Sequence, residues 1–162
     1  MERADKKTAT CAPRAPVLAI DLGKKRVGVA ISDALSISIT PLTALRRTSW
    51  KQMLRSVDEL VRRFDAQTVV IGFPLRLNGS AGDAALEARA IAMKFALSLS
   101  VPVYLQDERL SSVEAEQNLR ADGHKPGSIS DLVDSESAAV ILRDFLGSRQ
   151  DRVQVLAPEQ TS

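Results

Sequence analysis

Residues 17–33 read VLAIDLGKKRVGVAISD. A run of Val, Leu, Ala and Ile ends in a carboxylate, Asp21. Gly23 and three basic residues, Lys24, Lys25 and Arg26, follow, and a second apolar run begins at Val27. Two short apolar runs around a Gly-containing polar break predict an antiparallel hairpin. Its strands span residues 17–22 and 27–32, with a turn over 23–26. An acid at the tip of a buried strand, beside a cluster of positive charge, is the feature that calls for a chemical explanation.

Outward from the hairpin the hydrophobic period changes repeatedly. Residues 36–40 alternate Ser and Ile, predicting a half-exposed third strand that ends at Pro41. Trp50, Met53, Leu54, Val57, Leu60, Val61 and Phe64 recur at helical spacing. Residues 68–73 (TVVIGF) predict a buried strand, and the loop PLRLNGSAG follows. A helix over about 83–99 carries Leu86, Ala90, Met93 and Leu97 on one stripe, and residues 101–106 predict a fifth strand. Ser111 and Glu114 form a capping-box pattern for a helix to about residue 120. ADGHKPGSISDLV (121–133) is expected to be a loop, and a last helix spans about 134–146. The expected organisation is an N-terminal tail over 1–15, one domain over 16–147 and a C-terminal tail over 148–162, in which 153–156 offers a short additional strand. Three meandering strands, two α–β units and a helix give an α/β domain with one mixed five-stranded sheet flanked by helices.

Composition sets outer bounds. The chain has 162 residues, 44% hydrophobic and 26% charged, with net charge +2 and pI about 8.9. This mild basicity permits a nucleic-acid partner and equally a solvated basic surface. Cys11 is the one cysteine, which excludes an intramolecular disulfide and a cysteine-based zinc site. The one histidine, His124, falls in the Gly/Pro-containing loop, a poor support for a Ser-His-Asp triad. No apolar run reaches the roughly 18 residues of a membrane span. The charged start MERADKKTAT lacks a secretory apolar core, so a cytoplasmic location is expected.

The acids fall at informative places. Asp21 ends strand one, Asp107 and Glu108 end strand five, and Asp134 opens the last helix with Ala138, Ile141 and Phe145 behind it at helical spacing. With strands one and five as parallel neighbours, their C-terminal ends share the edge where ligands bind in open α/β sheets. Carboxylates gathered there repel one another unless a cation lies between them. An all-oxygen set suits Mg²⁺ or Mn²⁺, ions that support phosphodiester hydrolysis. Lys24, Lys25 and Arg26 are then placed for phosphate contact or charge balance. Each residue also has a plainer role: Asp21 as a turn former, Asp134 as an N-cap, Asp107 or Glu108 as a partner of Arg109, and the basic run as a solvated hairpin tip. Residues 72–80 lead from a strand to a helix N-terminus, where backbone N–H groups and Arg76 suit a phosphate; an ordinary Gly/Asn loop is the competing reading. The Gly-Lys-Ser/Thr ending of a Walker loop is absent there.

AIDLGKKRVGVAISD (19–33), IGFPLRLNGS (71–80), YLQDERLSSVEAE (104–116) and VDSESAAVILRDFL (133–146) occur together in this order. In these motifs the chain resembles the YqgF/RuvX family of RNase H-like nucleases, described both as Holliday junction resolvases and as pre-16S rRNA nucleases. The resemblance spans nearly everything between the tails. It implies an RNase H-like fold with sheet order 3-2-1-4-5 and strand two antiparallel. It further implies a metal-dependent endonuclease whose catalytic set is Asp21, an acid of the Asp107-Glu108 pair and Asp134. Analogy with related resolvases prefers Glu108, making Asp21, Glu108 and Asp134 the ligands of Mg²⁺ or Mn²⁺; the strand pattern alone leaves Asp107 and Glu108 both open. Lys24, Arg26, Arg76 and Arg109 are the expected backbone-binding residues. The implied substrate is structured RNA, in 5′-end maturation of 16S ribosomal RNA, with branched DNA as the alternative. A non-cleaving RNA-binding module and an actin-like nucleotide-binding domain remain as other readings, the latter disfavoured by the short chain. No membrane association is expected, and a monomer or a weak homodimer, formed through Trp50 or the Ile37/Ile39 strand, is left open. The chain departs from the family in HKPGSISDLVDS (124–135), where a basic run is usual and Lys125 is the one certain positive charge. That puts substrate affinity in question more than the metal site.

Overall fold

A computed structural model of the chain describes residues 13–74, 78, 80–107, 126–147 and 152–155, with backbone alone over 126–134 and at 152. The elements are β1 (Val17–Leu22), β2 (Arg26–Ser32), β3 (Ile39–Arg46), α1 (Trp50–Arg63), β4 (Thr68–Phe73), α2 (Asp83–Ser98), β5 (Val103–Asp107), α3 (Pro126–Gly147) and β6 (Arg152–Val155). They form one six-stranded sheet of order β3-β2-β1-β4-β5-β6. β2 runs antiparallel to β1 and β3, β4 runs parallel to β1 and β5, and β6 runs antiparallel to β5. The expected order 3-2-1-4-5 holds. The sixth strand comes from the segment assigned to the C-terminal tail, where the alternation of Val153 and Val155 is short but suited to an edge.

Period-2 alternation divides the sheet into two faces. Leu18, Ile20, Val27, Val29, Ile31, Val69, Ile71, Val103 and Leu105 pack with Met53, Val57 and Val61 of α1 and with Ile91, Ala92 and Phe95 of α2. Val17, Ala19, Ala30, Val70 and Tyr104 point the other way and pack under Ala138, Ala139, Ile141, Leu142 and Phe145 of α3. Both faces of β1 and β4 are therefore covered, which explains their near-continuous apolar sequence. α3 lies mainly across β2, β3 and β1. The Tyr104 and Phe145 rings meet edge-to-face, 5.3 Å between centroids.

Several local expectations change. β3 runs through Pro41 to Arg46 and does not end there. It is the outer strand, so a residue without an N–H costs no ladder bond on its open side. The 33–38 loop before it is held by Asp33 Oδ1, which accepts from the Ile37 and Ser38 amides at 2.7 and 3.2 Å. α1 forms as predicted, with Ser49 Oγ accepting from the Gln52 amide at its N-terminus. α2 turns a different stripe inward: Ala85, Ala88, Ile91, Ala92 and Phe95 are buried, while Leu86 and Leu97 are 53% and 50% exposed. The helix is apolar nearly all round, so its pattern gave no unique inner face. The small Ala side chains let it approach the sheet, and Phe95 fills the depth. β5 starts at Val103, after Pro102, and includes Asp107. α3 begins at Pro126, eight residues before the expected start, and absorbs most of the segment expected to be a loop. Pro is well suited to a first helical turn. The helix expected over 111–120 and the His124 loop lie outside the described residues.

Candidate active site

Asp21 is the fifth residue of β1 and shares a face with Val17 and Ala19, the face that α3 covers. It is half-buried. Its cross-strand neighbour on β2 is Gly28. On the other side, β1 and β4 pair in register up to Ile20 with Ile71, so the next row places Gly72 beside Asp21. Both glycines are buried. The carboxylate thus stands between two positions without side chains. Gly is unfavourable in a strand interior; Gly28 sits at the irregularity in the β2–β3 register between Val27 and Val29, and Gly72 leaves the β4 position beside Asp21 without a side chain. The row continues from Gly72 to Gln106 on β5.

β1 and β5 are parallel but not neighbours, since β4 runs between them. This corrects the simpler arrangement expected from the sequence and makes Gly72 the middle of the row. Asp107 alternates with Val103 and Leu105 of the α1–α2 cluster and so belongs to the face opposite Asp21. Tyr104 and Gln106 are on the Asp21 face. Of the acid pair at this strand end, the structure therefore does not bring Asp107 to Asp21; Glu108 lies outside the described residues.

Position 134 lies in the third turn of α3 and is not its N-cap. By helical spacing it shares a stripe with Ala138, Ile141 and Phe145, which pack on the sheet. Ser135 Oγ donates to the Leu42 carbonyl of β3. Leu42 pairs with Val29, and Val29 with Ile20, the residue before Asp21. This register carries the 134 end of the helix to the level of the Asp21 row. Among the described residues no three Asp, Glu, His or Cys side chains gather. Of Asp21, Glu108 and Asp134, only Asp21 has a described side chain.

The turn after β1 carries Lys24 and Lys25, both exposed, and Arg26 opens β2 half-buried. A residue not foreseen from the sequence pins this turn. Arg47 donates from Nη1 to the Gly23 carbonyl at 2.6 Å and from its backbone N to the Lys25 carbonyl at 3.0 Å. Its guanidinium also forms an ion pair with Glu87 of α2. Two basic residues before a helix, Arg46 and Arg47, gave no sign of which one turns inward. Arg76 and Arg109 lie outside the described residues.

Gln106 was also missed. It is 1% exposed, and its Oε1 has no hydrogen-bond partner among the described residues; Ser137 Oγ on α3 is in the same condition. An unpaired buried polar atom is costly and calls for a partner such as water or an ion. The signal was present in the sequence as a Gln within an apolar strand, one residue before the acids.

Comparison with known proteins gives a consistent answer. The model of the RuvX family, described as Holliday junction resolvase, matches residues 15–148. A protein of Anaeromyxobacter sp. (strain Fw109-5) named "Putative pre-16S rRNA nuclease" is 40% identical over 132 residues, covering 82% of this chain and 96% of its own. One of the same name from Chloroflexus aurantiacus is 39% identical, covering 83% and 88%. Thermus thermophilus RuvC superposes with a TM-score of 0.54 at 15% identity, over 86% of this chain and 99% of that one. A T. thermophilus RuvC in complex with Holliday junction substrate gives 0.51 at 17% identity, over 85% and 98%. At such identity the likeness concerns the fold, and the sheet with its flanking helices is RNase H-like.

Proposed function

Because the chain belongs to the RuvX family, we propose that it is a metal-dependent endonuclease acting on structured RNA in the cytoplasm, at the 5′ end of precursor 16S ribosomal RNA. The observation that carries this reading is the placement of Asp21 between Gly28 and Gly72, under the helix that bears position 134. The relatives named "Putative pre-16S rRNA nuclease" support this choice of substrate.

The residues present fit a divalent cation. Asp21 offers a hard, charged oxygen beside two open positions, and the unpartnered amide oxygen of Gln106 lies in the same row. Asp21, Glu108 and Asp134 are the residues that would hold Mg²⁺ or Mn²⁺. When bound, such an ion lowers the pKa of water and stabilises charge on the leaving oxygen. The chain's own part is to fix the geometry. β1 holds Asp21 on the face that α3 covers, and α3 carries the backbone of position 134 toward the same row. The glycines leave space for a phosphate, and Lys24 and Lys25 project from the same sheet edge to meet neighbouring phosphates. Arg26, Arg76 and Arg109 complete the proposed backbone contacts. Hydrolysis adds water across the phosphodiester, leaving a 3′-hydroxyl and a 5′-phosphate.

The test incubates the full chain with a precursor-type 16S 5′ RNA and with a four-way DNA junction, in Mg²⁺ and in EDTA. Cleavage of the RNA in Mg²⁺ alone supports the proposal. Cleavage confined to the junction makes the chain a resolvase, and tight RNA binding without cleavage in either buffer makes it a binding module.

A further inference from the structure

Gln106 carries an inference that deepens the nuclease reading and rests on it. The side chain is buried to within 1% and lies on the α3-facing side of β5, with its Oε1 unpartnered among the described residues. Its neighbour in the row is Gly72, and Asp21 comes next. Two strand spacings separate Asp21 from Gln106, roughly 10 Å between Cα atoms. No side chain from β4 stands between them. The Asp21 carboxylate cannot supply the donor that the Gln106 oxygen calls for. A hydrated divalent cation beside Asp21 can, since Mg²⁺ keeps several of its waters in protein sites.

We propose that Gln106 is a positioning residue of the cation site, its Oε1 accepting a hydrogen bond from water on the ion that Asp21 holds. A neutral amide adds orientation without adding to the repulsion among the carboxylates. Groups of this kind, one step removed from the metal, typically change metal affinity or activity by about 10–100-fold when removed.

The experiment measures Mn²⁺ binding by titration calorimetry, with cleavage and thermal unfolding alongside, for the unmodified chain, Asp21→Asn, Gln106→Met and Gln106→Glu. Gln106→Met keeps the volume and removes the unpaired acceptor. It is expected to melt at or above the unmodified temperature, bind Mn²⁺ about tenfold or more weakly, and recover cleavage at saturating Mn²⁺. Gln106→Glu keeps an oxygen at the same reach and is expected to bind Mn²⁺ at least as well as the unmodified chain. Unchanged Mn²⁺ affinity in Gln106→Met, with Asp21→Asn impaired, overturns the role of Gln106 and leaves the nuclease reading standing. Unchanged affinity in Asp21→Asn overturns both. Should Gln106→Met fail to fold, Gln106→Glu decides: weaker binding than the unmodified chain refutes the proposal, and equal or tighter binding supports it.

Discussion

Replacing Arg47 with Ala tests whether the basic turn is held in place or merely exposed. The substitution removes the Nη1 bond to the Gly23 carbonyl, 2.6 Å long and partly buried, and the ion pair with Glu87. It leaves the backbone bond from residue 47 to the Lys25 carbonyl. A hydrogen bond from a charged donor contributes about 1.5–3 kcal/mol. The ion pair adds about 0.2–1 kcal/mol, because the Glu87 side chain is 51% exposed even though that of Arg47 is only 21% exposed. The expected loss is about 2–4 kcal/mol, with the Gly23 bond the larger part. For a domain of this size that lowers Tm by about 4–16 °C. Thermal and urea unfolding followed by circular dichroism give the number, and Glu87→Gln, expected to cost under about 1 kcal/mol, separates the two contributions. Since the turn presents Lys24 and Lys25, KM for RNA should rise more than kcat falls. A Tm within about 2 °C of the unmodified chain, or a Glu87→Gln loss equal to that of Arg47→Ala, refutes the reasoning.

Asp21→Asn is expected to abolish metal-dependent cleavage while circular dichroism shows an intact fold; full activity in this variant removes Asp21 from the catalytic set. Gly72→Ala should raise stability slightly, since Gly in a strand interior costs about 0.5–1 kcal/mol relative to Ala, yet reduce cleavage by placing a methyl group beside Asp21. Opposite signs in unfolding and turnover assays check this. Phe145→Ala, at a fully buried position against Tyr104, should cost about 3–5 kcal/mol, read as a lower urea midpoint. EDTA should stop RNA cleavage and leave RNA binding measurable by gel shift, with Mn²⁺ restoring turnover.

Much of this architecture was legible because the buried strands announce themselves. The 17–33 hairpin, TVVIGF and the α1 stripe are periodic or continuously apolar, and nothing competes with them. The inner face of α2 was not legible, because a helix with Ala and Leu on most sides has no dominant stripe, and close packing selected the alanines. The start of α3 was hidden by Gly127 and three Ser and Asp residues, which favour loops locally until the sheet supplies a surface. At the site, the alternation along β5 was visible from the beginning. Which face belonged to Asp21 required the register of β1 with β4, a property of paired strands and of neither one alone. Arg47 and Gln106 were missed for the same reason: their roles exist only through partners distant in the chain.

One property of α3 reaches past assembly of the layer. Over the side chains described from 135 onward, its inward residues grow from Ser135, Ser137, Ala138 and Ala139 to Ile141, Leu142 and Phe145. Within that stretch the grip on the sheet belongs to the last turns, where Phe145 meets Tyr104 of β5. Helix and strand five are thereby keyed together through that ring pair, so trimming Phe145 should loosen that side of the layer far more than replacing Ser137 with Ala.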